Sequence, residues 1–172
     1  MWNNKSIVNP EEFSIKNKDD LLNKIIQIKV GSDYHGCGEY VLHTPFGLCE
    51  TLDKFREYIS MLTLDEIINY RDDYDGSILH DMVTCNKDLS YFKYIYSVVK
   101  YRNFVKLVKH KDRSGNDVIT KIRDLNLFKE IVKITGIERY EVRRMTDNCS
   151  NEIIDYITEL IIDEAKSSLL RD

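Results

Sequence analysis

The chain has 172 residues, 42% hydrophobic and 31% charged, with four cysteines and a net charge of -4, and its mean hydropathy is -0.40. This is enough apolar material for one domain with a real core, and it excludes a disordered tail. No apolar run approaches the ~18 residues of a membrane helix, and the opening MWNNKSIVNPEEF lacks the basic-then-apolar order of a secretory signal. Cys37, Cys49, Cys85 and Cys149 are irregularly spaced with no CxxC, so reduced thiols in an intracellular protein are expected.

The charge is segmented. Residues 1–92 hold 9 Lys/Arg against 16 Asp/Glu, residues 93–113 hold 7 against 1, and residues 114–172 hold 9 against 12. A basic block inside an acidic chain favours an acidic protein partner over nucleic acid, whose dedicated binders show a larger basic face and an alkaline pI.

In chain order, Asp19 and Asp20 can cap a helix carrying Leu21, Leu22, Ile25, Ile26 and Ile28, closed by Gly31. Three similar units follow. Each opens on a glycine in a polar turn: Gly38 in His35-Gly-Cys-Gly38, Gly76 in Asp73-Tyr-Asp-Gly76, and Gly115 in Asp112-Arg-Ser-Gly115. Val41-Leu42-His43 recurs 37 residues later as Ile78-Leu79-His80. Leu52-Asp-Lys-Phe55-Arg56 recurs as Leu89-Ser-Tyr-Phe92-Lys93 and Leu125-Asn-Leu-Phe128-Lys129, at intervals of 37 and 36. The apolar spacing after each of these is helical, as in Leu52, Phe55, Ile59 and Leu62. Helix pairs are therefore expected over 43–62, 80–100 and 117–134, with additional residues at 60–70 and 97–109 lengthening the second helices and their loops. Ser150 can cap a final helix near 151–169, with Ile153, Ile154, Ile157, Leu160 and Ile161 on its apolar side. A helix pair cannot bury its stripe alone, so the units must stack with capped ends.

Turn-Gly, Leu-His, then Leu-x-x-(apolar)-(Lys/Arg) resembles the ankyrin repeat, whose pattern runs D-x-x-G-x-T-P-L-H-x-A-A and later L-x-x-V-[KR]-x-L. The resemblance covers about residues 33–136. Departures are the missing paired alanines, a Gly76-to-His80 interval one residue short, Thr120 in place of the third histidine, and a period longer than the usual ~33. Divergent units in an Ile/Asn/Lys/Tyr-rich chain are similar to those of poxviruses, polydnaviruses and intracellular bacteria. The resemblance implies an all-α ankyrin-like solenoid in a single domain: an N-terminal cap over 1–32, about three repeats over 33–136 and a C-terminal capping helix region over 137–172. It also implies an intracellular adaptor or inhibitor, cytoplasmic or also nuclear, that binds a signalling protein. One specific form is an inhibitor-of-kappa-B mimic that holds a Rel-type transcription factor. The family's partner-contacting places fall on Cys37, Glu39 and Gly47 in the first unit. In the second they fall on Tyr74, Asp75, Ser77, Thr84 and Cys85, and in the third on Arg113, Ser114, Asn116 and Asp124. A different all-helical module, such as a viral Bcl-2-like regulator with a helix-binding groove, would account for the missing alanines, but a bundle has no need of the threefold period.

Catalytic and metal chemistry finds little footing, and neither enzymatic activity nor a cofactor is expected. His43 and His80 match the family histidine that ties its own turn. His35, Cys37, His43 and Cys49 have zinc-ligand types without paired-ligand spacing. Asp72, Asp73 and Asp75 lack the closing glutamate of a calcium loop, since Thr84 stands there. No phosphate loop or nucleophile elbow is present. Tyr91, Phe92, Tyr94, Tyr96 and Tyr101 could stack bases, but Phe92, Ile95 and Val99 share a helical face and are expected in the core.

Overall fold

A small sheet comes first and helices follow it. In this computed structural model, which describes residues 6–8, 15–32, 38–136 and 150–169, the chain begins β1 (Ser6–Val8), α1 (Lys18–Asn23), β2 (Lys24–Ser32) and β3 (Gly38–His43). Strand β2 pairs in parallel with β1 and antiparallel with β3, with Ile26 opposite His43 and Gly31 opposite Glu39. All regular structure described beyond His43 is helical. Among the described residues the all-α expectation therefore holds from Thr44 onward and fails for the N-terminal segment. Ile25, Ile26 and Ile28, expected on one helix, and Gly31, expected to close it, lie in β2. Their β-branched side chains, with alternation over Ile26-Gln-Ile-Lys-Val30, favour a strand once a partner strand is near. Helix α1 is only six residues long, and Asn17 caps it, its Oδ1 accepting the Asp20 N–H at 3.0 Å.

The helical part contains α2 (Pro45–Leu48), α3 (Leu52–Ser60), α4 (Leu64–Asn69), α5 (Ile78–Thr84), α6 (Leu89–Val108), α7 (Val118–Lys121), α8 (Leu125–Thr135) and α9 (Asn151–Leu169). The recurrent leucine is the first residue of α3, α6 and α8, directly after the caps Thr51, Asp88 and Asp124. One turn on, Phe55, Phe92 and Phe128 are all fully buried. These are equivalent places in three long helices, and the sequence period marks them correctly.

The short helices follow a different register from the one suggested by the two histidines. Helices α2, α5 and α7 are capped at Thr44, Ser77 and Asp117. Thr44-Pro-Phe-Gly47 is therefore in step with Ser77-Ile-Leu-His80 and Asp117-Val-Ile-Thr120. His43 is the last residue of β3, so it does not match His80; Gly47 does. The reason is local: Thr44 offers a capping oxygen, accepting the Gly47 N–H at 3.2 Å, and Pro45 suits the first helical position because its missing N–H would have no helical partner there.

The inserted residues form a third helix in the first two units rather than longer second helices. Helix α4 starts at Thr63 with a capping box closed by Glu66. In the next unit α6 is broken at Lys100, whose φ of 65° and ψ of 169° separate 89–99 from 101–108. Ile67 and Ile68, four to five residues before Asp72, correspond to Leu107 and Val108 before Asp112, and all four are buried. Helix α6 packs on α3, α4, α5 and α8, while α5 packs on α2 and α7. Stacking of one unit on the next is carried by aromatic contacts such as Phe55 to Tyr91 at 5.1 Å, nearly edge-on. Helix α9 covers the last unit with buried Ile153 and Ile157 and sets Tyr156 edge-on to Phe128 at 6.3 Å.

Candidate interaction surface

Two hairpin tips are built by the same device. Asp72 Oδ1 accepts the N–H groups of Tyr74 and Gly76 at 2.8 and 2.6 Å, and Asp72 N–H donates to the Gly76 carbonyl at 2.9 Å. Forty residues later Asp112 Oδ1 accepts from Ser114 and Asn116, both at 2.9 Å, and its N–H donates to the Asn116 carbonyl at 2.8 Å. The left-handed place is held by Asp75 (φ 61°) in the first tip and Gly115 (φ 82°) in the second. Asp75, and not Gly76, thus occupies the glycine position. The interval to His80 then equals that from Gly115 to Thr120, and the apparent missing residue disappears; Asp tolerates the left-handed region better than most side chains.

The tips are joined to each other. The Arg113 N–H donates to the Tyr74 carbonyl at 2.7 Å, and His110 Nε2 contacts the Asp75 carbonyl at 2.6 Å. Because the backbones are held from within, the side chains of Tyr74, Asp75, Arg113 and Ser114 remain exposed, Tyr74 at 57%. Four of the expected contact residues therefore form one surface.

A groove of about 450 Å³ runs beside them, between the end of α5 and the start of α7. It gathers the expected Thr84 and Asn116 with Asn86, Thr120, Lys121 and Arg123. Sequence reasoning missed the last four. The register does signal Lys121: it follows Thr120, just as Asp81 follows His80.

That pair solves one structural problem in opposite ways. Lys121 Nζ lies 2.5 Å from Asp112 Oδ2. Burial opposes ionisation of Asp112, but the Lys121 hydrogen bond and the N–H groups of Asn116 and Ser114 outweigh it and hold the carboxyl below its ordinary value. In the preceding unit Asp81 takes the lysine's place beside Asp72. It is buried and accepts from Thr44 Oγ1 at 2.7 Å; burial first, then the Asp72 charge, push its pKa well above the usual carboxylate range.

Other expected contact residues lie elsewhere. Gly47 is buried in α2, and a Cβ there would meet Cys85 Sγ at 2.6 Å; it serves close packing, not contact. Ser77 is fully buried, with its N–H donating to His80 Nδ1 at 3.1 Å and its hydroxyl to the Leu107 carbonyl at 3.3 Å. The Cys85 thiol is half-buried, and burial pushes its pKa up to about 11, as it pushes Cys49 to about 12, so neither is poised as a nucleophile. Asp124 is exposed but caps α8, accepting the Leu127 N–H at 2.6 Å. Glu39 sits in β3 opposite Gly31. Cys37, like His35, lies outside the described residues.

Among the described residues no group of three or more His, Cys, Asp or Glu is placed to hold a metal ion, and no helix is long and apolar enough to cross a membrane. No family model matches the sequence, and no curated protein or solved structure does either.

Proposed function

We propose that the chain is a small ankyrin-like interaction module, an adaptor or inhibitor that acts by holding a signalling protein. Its specific form on this reading is an inhibitor-of-kappa-B-like mimic that retains a Rel-type transcription factor; this form rests on family analogy. The observation that carries the reading is the pair of equivalent tips, hydrogen-bonded side by side, whose backbones are fixed from within while Tyr74, Asp75, Arg113 and Ser114 stay exposed. Such an arrangement separates recognition from stability. Exposed tyrosine and arginine are the common anchors of protein interfaces. The D-x-x-(Gly/Asp)-x-(Ser/Asp)-x-x-(His/Thr) register of both tips supports the ankyrin-like assignment.

The test uses the full chain as bait for a purified Rel-type factor and for host cytosolic proteins identified by mass spectrometry. Tyr74→Ala and Arg113→Glu should change stability by less than ~0.5 kcal/mol and weaken capture by at least ~1 kcal/mol for whichever residue is an anchor. If a verified partner binds both variants as tightly as the wild type, the tips are not the recognition surface.

A further inference from the structure

We infer that the exposed face of residues 102–109 is a docking surface for an acidic α-helix of a partner protein. The inference deepens the protein-binding reading by naming the chemistry of the partner and placing it on a second surface. Residues 93–113 carry seven cations and one acid. That acid, Asp112, is buried and paired with Lys121, whereas all seven cations are exposed. Lys93 lies 3.8 Å from Glu130, and Arg102 and Lys106 present their charge to solvent.

The cations of the third helix are ordered. Arg102, Lys106 and Lys109 stand at i, i+4 and i+7, and Lys109 keeps right-handed helical angles as the cap (φ -82°, ψ -5°). They share one narrow face, spanning about 10 Å at 1.5 Å per residue. Phe104, Leu107 and Val108, all buried, occupy the opposite face, so the basic face cannot rotate inward. Like charges one turn apart repel, and no acid among the described residues forms an ion pair with Arg102 or Lys106. At the edge of this face stands Tyr101, 50% exposed, its hydroxyl donating to the Thr135 carbonyl at 3.1 Å; its ring is fixed and can cover an apolar side chain of the partner.

A helix with carboxylates at the same spacing sets opposite charge against Arg102 and Lys106, with Lys109 prolonging the basic face. Nucleic acid fits less well. The row offers at most three phosphate contacts in a chain of net charge -4, and it runs into a tip where Asp75 is exposed and would repel a phosphate backbone.

The test titrates the full chain, by fluorescence anisotropy, with two alanine-based helical peptides of equal composition. One carries glutamates at i, i+4, i+7 and i+11; the other spreads them around the helix. A double-stranded DNA oligonucleotide is the third probe. The matched peptide should bind at least ~5-fold more tightly than the scattered one and weaken with added salt. Arg102→Glu/Lys106→Glu should reduce that binding by at least ~10-fold, with an unchanged melting curve. Arg102→Ala/Lys106→Ala provides the same readout if the reversed pair disturbs folding. Tyr74→Ala should leave peptide binding intact, which separates this surface from the tips. Equal binding of the two peptides, no binding of either, insensitivity to both double variants, or tighter binding of DNA would overturn the inference.

Discussion

The imidazole of His80 ties its own unit to the backbone of Asn116 in the next, with Nε2 3.1 Å from the Asn116 carbonyl while Nδ1 accepts the Ser77 N–H at 3.1 Å. These roles define a neutral ring protonated on Nε2. Burial lowers its pKa, against the opposing pull of the Asn116 carbonyl. His80→Ala should cost ~1–3 kcal/mol, because the capping N–H and the carbonyl both lose their partner; urea denaturation measures it. The folded pKa lies below the unfolded ~6.5, so this residue's contribution falls as pH drops from about 6.5 towards the folded value. The variant should lack that part of the acid loss, and an identical pH profile would refute the assignment.

Asp81 and Asp112 should give opposite pH dependences. The folded pKa of Asp81 is raised above the unfolded ~3.9, so its carboxyl costs stability progressively as pH rises above that value. Asp81→Asn keeps an acceptor for Thr44 and should be more stable than the wild type at pH 8, with the advantage shrinking towards pH 4. Asp112, held low, contributes stability above ~3.9 that is lost as pH falls through its folded value. Asp112→Asn should therefore destabilise at neutral pH, by ~1–3 kcal/mol. Thermal melts across pH distinguish the two.

Phe55→Ala, Phe92→Ala and Phe128→Ala should each cost ~3–5 kcal/mol, since all three rings are fully buried at equivalent positions. That is a large share of the ~5–15 kcal/mol available to a domain. A variant with the wild-type urea midpoint would break the equivalence.

Gly47→Ala should destabilise by ~1–3 kcal/mol through overpacking, because its Cβ would lie 2.6 Å from Cys85 Sγ. Adding Cys85→Ala removes that atom, so a double-mutant cycle should show a coupling of at least ~0.5 kcal/mol in the direction of rescue. Additive effects would mean that the glycine is required for another reason.

Much of the helical part is legible without coordinates. The Leu-x-x-Phe-Lys/Arg period falls on the first turn of α3, α6 and α8, because a buried aromatic one turn after a capped start is what each stacked unit requires. The start of α2 is not legible in the same way: the sequence pairs His43 with His80, whereas in the structure Thr44 caps α2 as Ser77 caps α5. The N-terminal residues 24–32 misled for a physical reason: a dense run of isoleucines is compatible with a buried helix face and with a strand, and pairing with distant residues 38–43 decides between them.

The sequence alone determined the apolar period, the capped helix starts and the uneven charge, because each depends on residues within a turn or two of one another. Only the tertiary structure decided which of those residues are surface. Gly47 and Ser77 sit at places that a repeat pattern would offer to a partner, yet Cys85 in one case and Leu107 in the other, each about 30 or more residues away, cover them. Likewise Asp81 and Lys121 occupy one register position, and only the fold sets each beside a tip carboxylate, where Lys121 forms an ion pair with Asp112 while burial and the Asp72 charge disfavour ionisation of Asp81. Such outcomes depend on burial and on which chain segments meet, quantities that no local pattern encodes.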